Sequence, residues 1–193
     1  MKQVILIHGL PTKDEYYTSE EPSPSNAHWF PQIQQEILRK GVLCQSLEMP
    51  HPYNPSYNEY CKVLDQMNIS EDTILVGHSC GAGFLIRYFS ENKGLKPKKL
   101  ILVAPWLDTE GYLKELNEEN DFFDFHIDFE LSQRTNIDLV YSTDDEKDIL
   151  ESVEKIKKEI PDIKEYIFFD KGHFTETDLG SKEFPELVKI LFT

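Results

Sequence analysis

The segment Gly77-His78-Ser79-Cys80-Gly81 sets a serine between two glycines in a Gly-x-Ser-x-Gly pattern. A β-rich run, Thr73–Val76, precedes it, and a helical stretch opens at Gly81. A serine at such a strand-to-helix turn is held above a sheet as a nucleophile elbow, and its neighbours must be small, as Gly77 and Gly81 are. Ser79 would also stand at a helix N-terminus, where backbone N–H groups and the helix dipole favour a developing oxyanion. Taken alone, the pentapeptide fits equally a glycine-rich turn with Ser79 as a plain N-cap. Partners must decide.

A serine hydroxyl is a weak nucleophile and needs a base. The chain order that goes with an elbow is serine, acid, histidine. His173, in Gly172-His173-Phe174, follows the run Tyr166–Phe169 and is the candidate base. The acid should follow the preceding run, Ile137–Tyr141, where Asp144 and Asp145 compete. One would orient the imidazole; the other suits a turn or helix cap. Asp108, after Leu100–Ala104, is a third candidate. Asp170 and Asp178 read as turn residues. Spacing alone does not choose between Asp144 and Asp145, and Asp108 ranks below both. An oxyanion hole needs the N–H after the nucleophile, that of Cys80, and a second from the loop after the first strand. That loop is His8-Gly9-Leu10-Pro11; Pro11 has no N–H, so Leu10 is the candidate donor. His8 and His78 read as hydrogen-bonded scaffold, since zinc-ligand spacing is absent. Cys80 as nucleophile is disfavoured, because only the central residue of an elbow faces the substrate. Trp29, Trp106 and Phe174 are candidate pocket residues, Trp29 equally a core one.

The elements that must position these residues follow from periodicity. Short apolar runs (Val4–Ile7, Val42–Cys44, Thr73–Val76, Leu100–Ala104, Ile137–Tyr141, Tyr166–Phe169) alternate with helical patterns over His28–Arg39, Gly81–Glu91, Asp148–Lys158 and Phe184–Phe192. Nearly continuous apolar runs suit strands buried on both faces. The alternation predicts an α/β fold: a mostly parallel sheet of about six strands with helices on both faces. Ligands bind beyond the carboxyl ends of such strands, where the residues above all fall. Pro11–Ala27 reads as a polar loop over that edge. Leu107–Asn136 is long for a crossover and carries the aromatic–acidic run 122–129, so a small lid around 107–136 is expected.

With 193 residues, 1–193 reads as a single domain able to bury a sizeable core. Thirty-five Asp and Glu against 20 Lys and Arg give a net charge of −15, which argues against nucleic acid and anionic membrane surfaces as partners. The one dense basic cluster, Lys96, Lys98 and Lys99, reads as the solvated start of a strand. An aromatic content of 12% argues against disorder. Three cysteines without CxxC or metal spacing, and no signal-peptide pattern before Val4, fit the cytoplasm.

Several further pieces stand in order along the chain: Ile7-His8-Gly9, Asn26-Ala27-His28-Trp29-Phe30-Pro31, Met49-Pro50, Gly77-His78-Ser79, Leu102-Val103-Ala104-Pro105-Trp106, Ser142-Thr143-Asp144-Asp145 and Gly172-His173-Phe174. With them the sequence resembles the small α/β-hydrolases of the retinoblastoma-binding-protein/YdeN type of serine hydrolase. The resemblance runs through nearly the whole chain. It implies a compact three-layer α/β-hydrolase-type fold and a Ser-Asp-His triad in which the second aspartate, Asp145, is the acid. The expected catalytic set is then Ser79, Asp145 and His173, with the N–H groups of Leu10 and Cys80 as oxyanion hole. The expected reaction is cleavage of a carboxylic ester or related acyl bond through an acyl-enzyme, with no metal or organic cofactor. The same residues would serve thioester cleavage or acyl transfer, and a protein-binding role on the same scaffold is the competing class. Two stretches depart from the family, the long acidic loop Pro11–Pro24 and the run within Leu107–Asn136. Their acids, 14–21 and 115–130, are expected to flank the site and to favour a neutral or cationic acyl substrate.

Overall fold

The computed structural model describes residues 2–193. Strands β1 (Gln3–Ile7), β2 (Leu43–Leu47), β3 (Thr73–His78), β4 (Lys99–Val103), β5 (Asn136–Ser142) and β6 (Lys164–Phe168) form one sheet in the order β2-β1-β3-β4-β5-β6. Every pairing is parallel. Helices α1 (Lys13–Tyr17), α2 (Phe30–Arg39), α3 (Tyr57–Leu64), α4 (Cys80–Glu91), α5 (Tyr112–Leu116), α6 (Leu131–Arg134), α7 (Lys147–Glu159), α8 (Glu176–Leu179) and α9 (Pro185–Leu191) connect or follow them.

The strand order fixes where a site can form. From β1 the chain moves outward to β2 through α2; from β3 it moves the opposite way to β4 through α4. Right-handed crossovers therefore put α2 and α4 on opposite faces. α9 packs on α2 and shares its face. The reversal opens a crevice between the carboxyl ends of β1 and β3, where doubly wound sheets bind ligands.

The central strands are apolar because both faces are covered. Val4–Ile7 and the whole of β3 and β4 are buried. α4 is buried from Cys80 to Ser90, so it is apolar nearly all round. α2 instead buries one stripe, Phe30, Ile33 and Ile37, and opens with Pro31 in its first turn, where a missing N–H costs nothing.

Three features differ from expectation. α3 has no counterpart in the apolar pattern, because its buried stripe is Tyr57, Tyr60 and Leu64 and reads as polar. β6 is an edge strand, not a doubly covered one: Ile167 is 45% exposed and Phe169, just beyond it, 75%. Lys99 is not solvated; it is buried and pairs with buried Asp138 at 2.9 Å, while Lys96 and Lys98 remain outside. The segment 107–136 is anchored. Phe122 is fully buried, Arg87 donates to the carbonyls of Asp121 and Phe122, and buried Asp128 is held by Arg134 and Lys93.

Candidate active site

Ser79 sits between β3 and α4 at φ 54°, ψ −122°, a backbone state that L residues rarely adopt. Its surroundings over-determine that state. The Ser79 N–H donates to the Val103 carbonyl at 2.9 Å, and the Ser79 carbonyl accepts from Ala82, Gly83 and Trp106. A Cβ on Gly77 would stand 2.6 Å from the Ala82 nitrogen, and one on Gly81 would collide with the His8 carbonyl. The turn therefore requires glycine on both sides of the serine, as the sequence pattern suggested. Cys80 packs inward at 1% exposure, and burial raises its thiol pKa, so it stays protonated and away from the cleft.

The loop after β1 lies directly beside Ser79: a Cβ on Gly9 would come within 3.0 Å of the Ser79 Cβ. His8 fixes that loop. Its Nε2 accepts from the Met49 N–H at 3.0 Å, which leaves Nδ1–H to donate to the Gly9 carbonyl at 2.7 Å. Burial holds the His8 ring below the ordinary imidazole range and keeps it neutral. Among the described residues, the Leu10 and Cys80 N–H groups have no hydrogen-bond acceptor.

Of the competing carboxylates, Asp145 meets the histidine. Both its oxygens lie 3.1 Å from His173 Nδ1, and its side chain is fully buried. Asp144 points elsewhere: it accepts from the Gly172 N–H at 3.1 Å and from the Ser142 hydroxyl, which holds its carboxyl below the usual range. Asp108 accepts from Tyr112 and Leu113 N–H groups at the start of α5 and makes no contact with His173. Asp178 caps α8 and takes the His173 N–H at 3.1 Å. The His173 carbonyl accepts from His78 Nε2 at 2.8 Å. His78 is wholly buried, and desolvation drives its pKa well below the ordinary value.

Ser79 and His173 line one cleft of about 240 Å³ with Gly9, Leu10 and His78. The Ser79 hydroxyl has no hydrogen-bond partner among the described residues. Such bonds are often long in a free enzyme and tighten with substrate. The cleft wall comes from residues 10–28, including Glu15, Tyr16, Glu21 and His28, and not from 107–136, none of whose residues lines it. Of the two acidic stretches expected at its rim, only the first is there. The tryptophans do not line it either. Trp29 is core and donates to the Phe174 carbonyl at 3.1 Å, Trp106 donates to Asp148, and Phe174 is buried. His28 was not singled out as a site residue; in the sequence it stood only within the piece Asn26–Pro31 and at the start of an expected helix, which begins two residues later at Phe30.

The sequence model of the serine hydrolase family matches residues 19–193. The chain belongs to that family. The YdeN protein of Bacillus subtilis (strain 168) is 33% identical over 121 residues, 61% of this chain and 57% of that protein. The crystal structure of that ydeN gene product superposes with a TM-score of 0.78 at 26% identity, over 100% of this chain and 97% of the other. Est1E from Butyrivibrio proteoclasticus superposes with a TM-score of 0.63 and a serine hydrolase involved in carbazole degradation with 0.62, both at 14% identity; these likenesses speak for the fold alone. This serine hydrolase is thus a hydrolase with the α/β-hydrolase fold. No helix among its described residues is long and apolar enough to cross a membrane.

Proposed function

We propose that this hydrolase cleaves a carboxylic ester or related acyl bond through a covalent acyl-enzyme on Ser79. The observation that carries the reading is the buried carboxylate of Asp145 on Nδ1 of His173, whose ring shares a cleft with the strained Ser79. With Nδ1–H donated to Asp145, the other ring nitrogen, Nε2, is the proton acceptor. It takes the Ser79 proton as Oγ attacks the carbonyl carbon. The oxyanion forms beside the Leu10 and Cys80 N–H groups, neither of which has another acceptor among the described residues. The imidazolium, stabilised by Asp145, hands its proton to the leaving oxygen, and the alcohol departs. Water then loses a proton to His173 and adds to the acyl carbon. Ser79 recovers a proton as the acid leaves.

The cleft favours neutral or cationic substrates. Glu15 and Glu21 line it, and no Lys or Arg does among the described residues. Matched aryl esters differing only in acyl charge test this: the anionic ester should have the lowest kcat/KM at low salt. The nucleophile is tested with a fluorophosphonate probe. Labelling should be lost in Ser79→Ala; equal labelling of both proteins would remove Ser79 from the mechanism.

A further inference from the structure

His28 lies outside the triad but lines the same cleft. Its Nδ1 accepts the Glu176 N–H at 3.2 Å, so the proton of the neutral ring is on Nε2. Among the described residues that Nε2–H has no acceptor. Burial lowers the pKa of the ring and keeps it in this neutral, single-donor form. Nδ1 and the backbone on both sides fix the ring. His28 has φ 52°, and the next residue, Trp29, is buried and tied to the Phe174 carbonyl. The donor is therefore held against the loop that carries His173, by bonds from that segment to Phe174 and Glu176.

Its side of the cleft can be assigned. The His28 ring lies 6.2 Å from His78, whose ring is 5.0 Å from that of His173. Its backbone partner, Glu176, is three residues past His173. A base that returns its proton to the leaving atom has the leaving group on its own side. Trp29, the residue after His28, is tied to the carbonyl of Phe174, the residue after His173, so the ring stands against the His173 loop. Glu15 and Glu21 supply carboxylate acceptors in the same wall.

We propose that His28 contacts the alcohol half of the substrate, donating Nε2–H to an oxygen there, so that the preferred ester is that of a hydroxyl-bearing, polyol-like alcohol. A hydroxyl suits the site because it accepts from His28 while donating to a glutamate. The assignment rests on the ester-hydrolase reading above and adds the chemistry of its leaving group.

The test compares glyceryl monobutyrate with propyl butyrate, which share an acyl group. The wild type should favour the glyceryl ester by about fivefold in kcat/KM, the worth of one net hydrogen bond. His28→Asn is the informative variant. Asparagine tolerates positive φ, and its Oδ1 can still take the Glu176 N–H, but no atom stands where Nε2 was. The ratio should fall to about one. His28→Gln, whose amide nitrogen reaches the Nε2 position, should restore part of it, which a merely structural role would not predict. Fluorophosphonate labelling of Ser79 monitors the nucleophile separately, since fluoride is its leaving group. With Ser79 labelled, a wild-type ratio near one, or a ratio that survives in His28→Asn, overturns the His28 assignment alone. Unlabelled Ser79 overturns the ester-hydrolase reading and this assignment with it.

Discussion

Asp144 and Asp145 are neighbours of one chemical type, yet they should behave very differently on amidation. In Asp145→Asn the group 3.1 Å from His173 Nδ1 becomes neutral. An imidazolium and a carboxylate at that separation attract by about 5 kcal/mol at an effective dielectric near 20. The His173 side chain is 26% exposed, so solvent screens part of that attraction. The ground state, with a neutral ring, loses little of it; the transition state, with a charged ring, loses most. About 4 kcal/mol of differential stabilisation is a thousandfold in rate. The amide also offers an N–H where an acceptor is needed and so favours the wrong imidazole tautomer, which deepens the loss. We expect kcat on an aryl ester to fall about a thousandfold or more, with KM changed little. Asp144→Asn keeps a carbonyl oxygen for the Gly172 N–H and should leave kcat within about tenfold. Steady-state kinetics on both purified variants, with circular dichroism to confirm folding, make the comparison. A thousandfold loss in Asp144→Asn with near-normal Asp145→Asn would refute the assignment and the geometry behind it.

Three other outcomes are expected. Gly9→Ala puts a methyl 3.0 Å from the Ser79 Cβ and should cost about a hundredfold in kcat with a small change in thermal midpoint, since displacement of the oxyanion loop is felt mainly by the reaction. Lys99→Met leaves Asp138 buried and unpaired and should destabilise by about 3–5 kcal/mol in urea unfolding, with much of the loss recovered in the double variant Lys99→Met, Asp138→Leu. Stability should fall as pH drops below about 6.5, because His8, His28 and His78 have folded pKa values below the unfolded one. In that window the unfolded chain binds more protons, so stability is full above the unfolded pKa and is lost as pH decreases toward the folded values. Urea unfolding at pH 7.5, 6.5 and 5.5 checks this, and a flat profile contradicts it.

The sheet was legible in the sequence because its centre is buried on both faces. Val4–Ile7 and Ile74–Val76 leave no polar residue to confuse the pattern. α3 was not legible, because two of its three buried residues are tyrosines. Lys99 was misread because charge alone does not reveal burial; its partner Asp138 lies 39 residues away on β5. The serine and histidine of the site were readable from local pattern and chain order. The choice between Asp144 and Asp145 was legible only through the family resemblance, since adjacent residues share every local cue and differ in where the turn aims them. The site wall was half legible: the loop after β1 was expected at the edge, but the part assigned to 107–136 was drawn away by the burial of Phe122.

The bond from the His78 ring to the His173 carbonyl has a mechanical consequence. His173 is carried by the loop after β6, an edge strand with solvent on one side, where fraying is easiest. Ser79 is carried by β3, with neighbours on both sides. Across the sheet, positional error would accumulate strand by strand between the two. His78, the residue before the serine, ties the loop straight back to the middle of the sheet and bypasses that chain of tolerances. The spacing of serine and histidine is gauged locally, so the outer strand can breathe without detuning it.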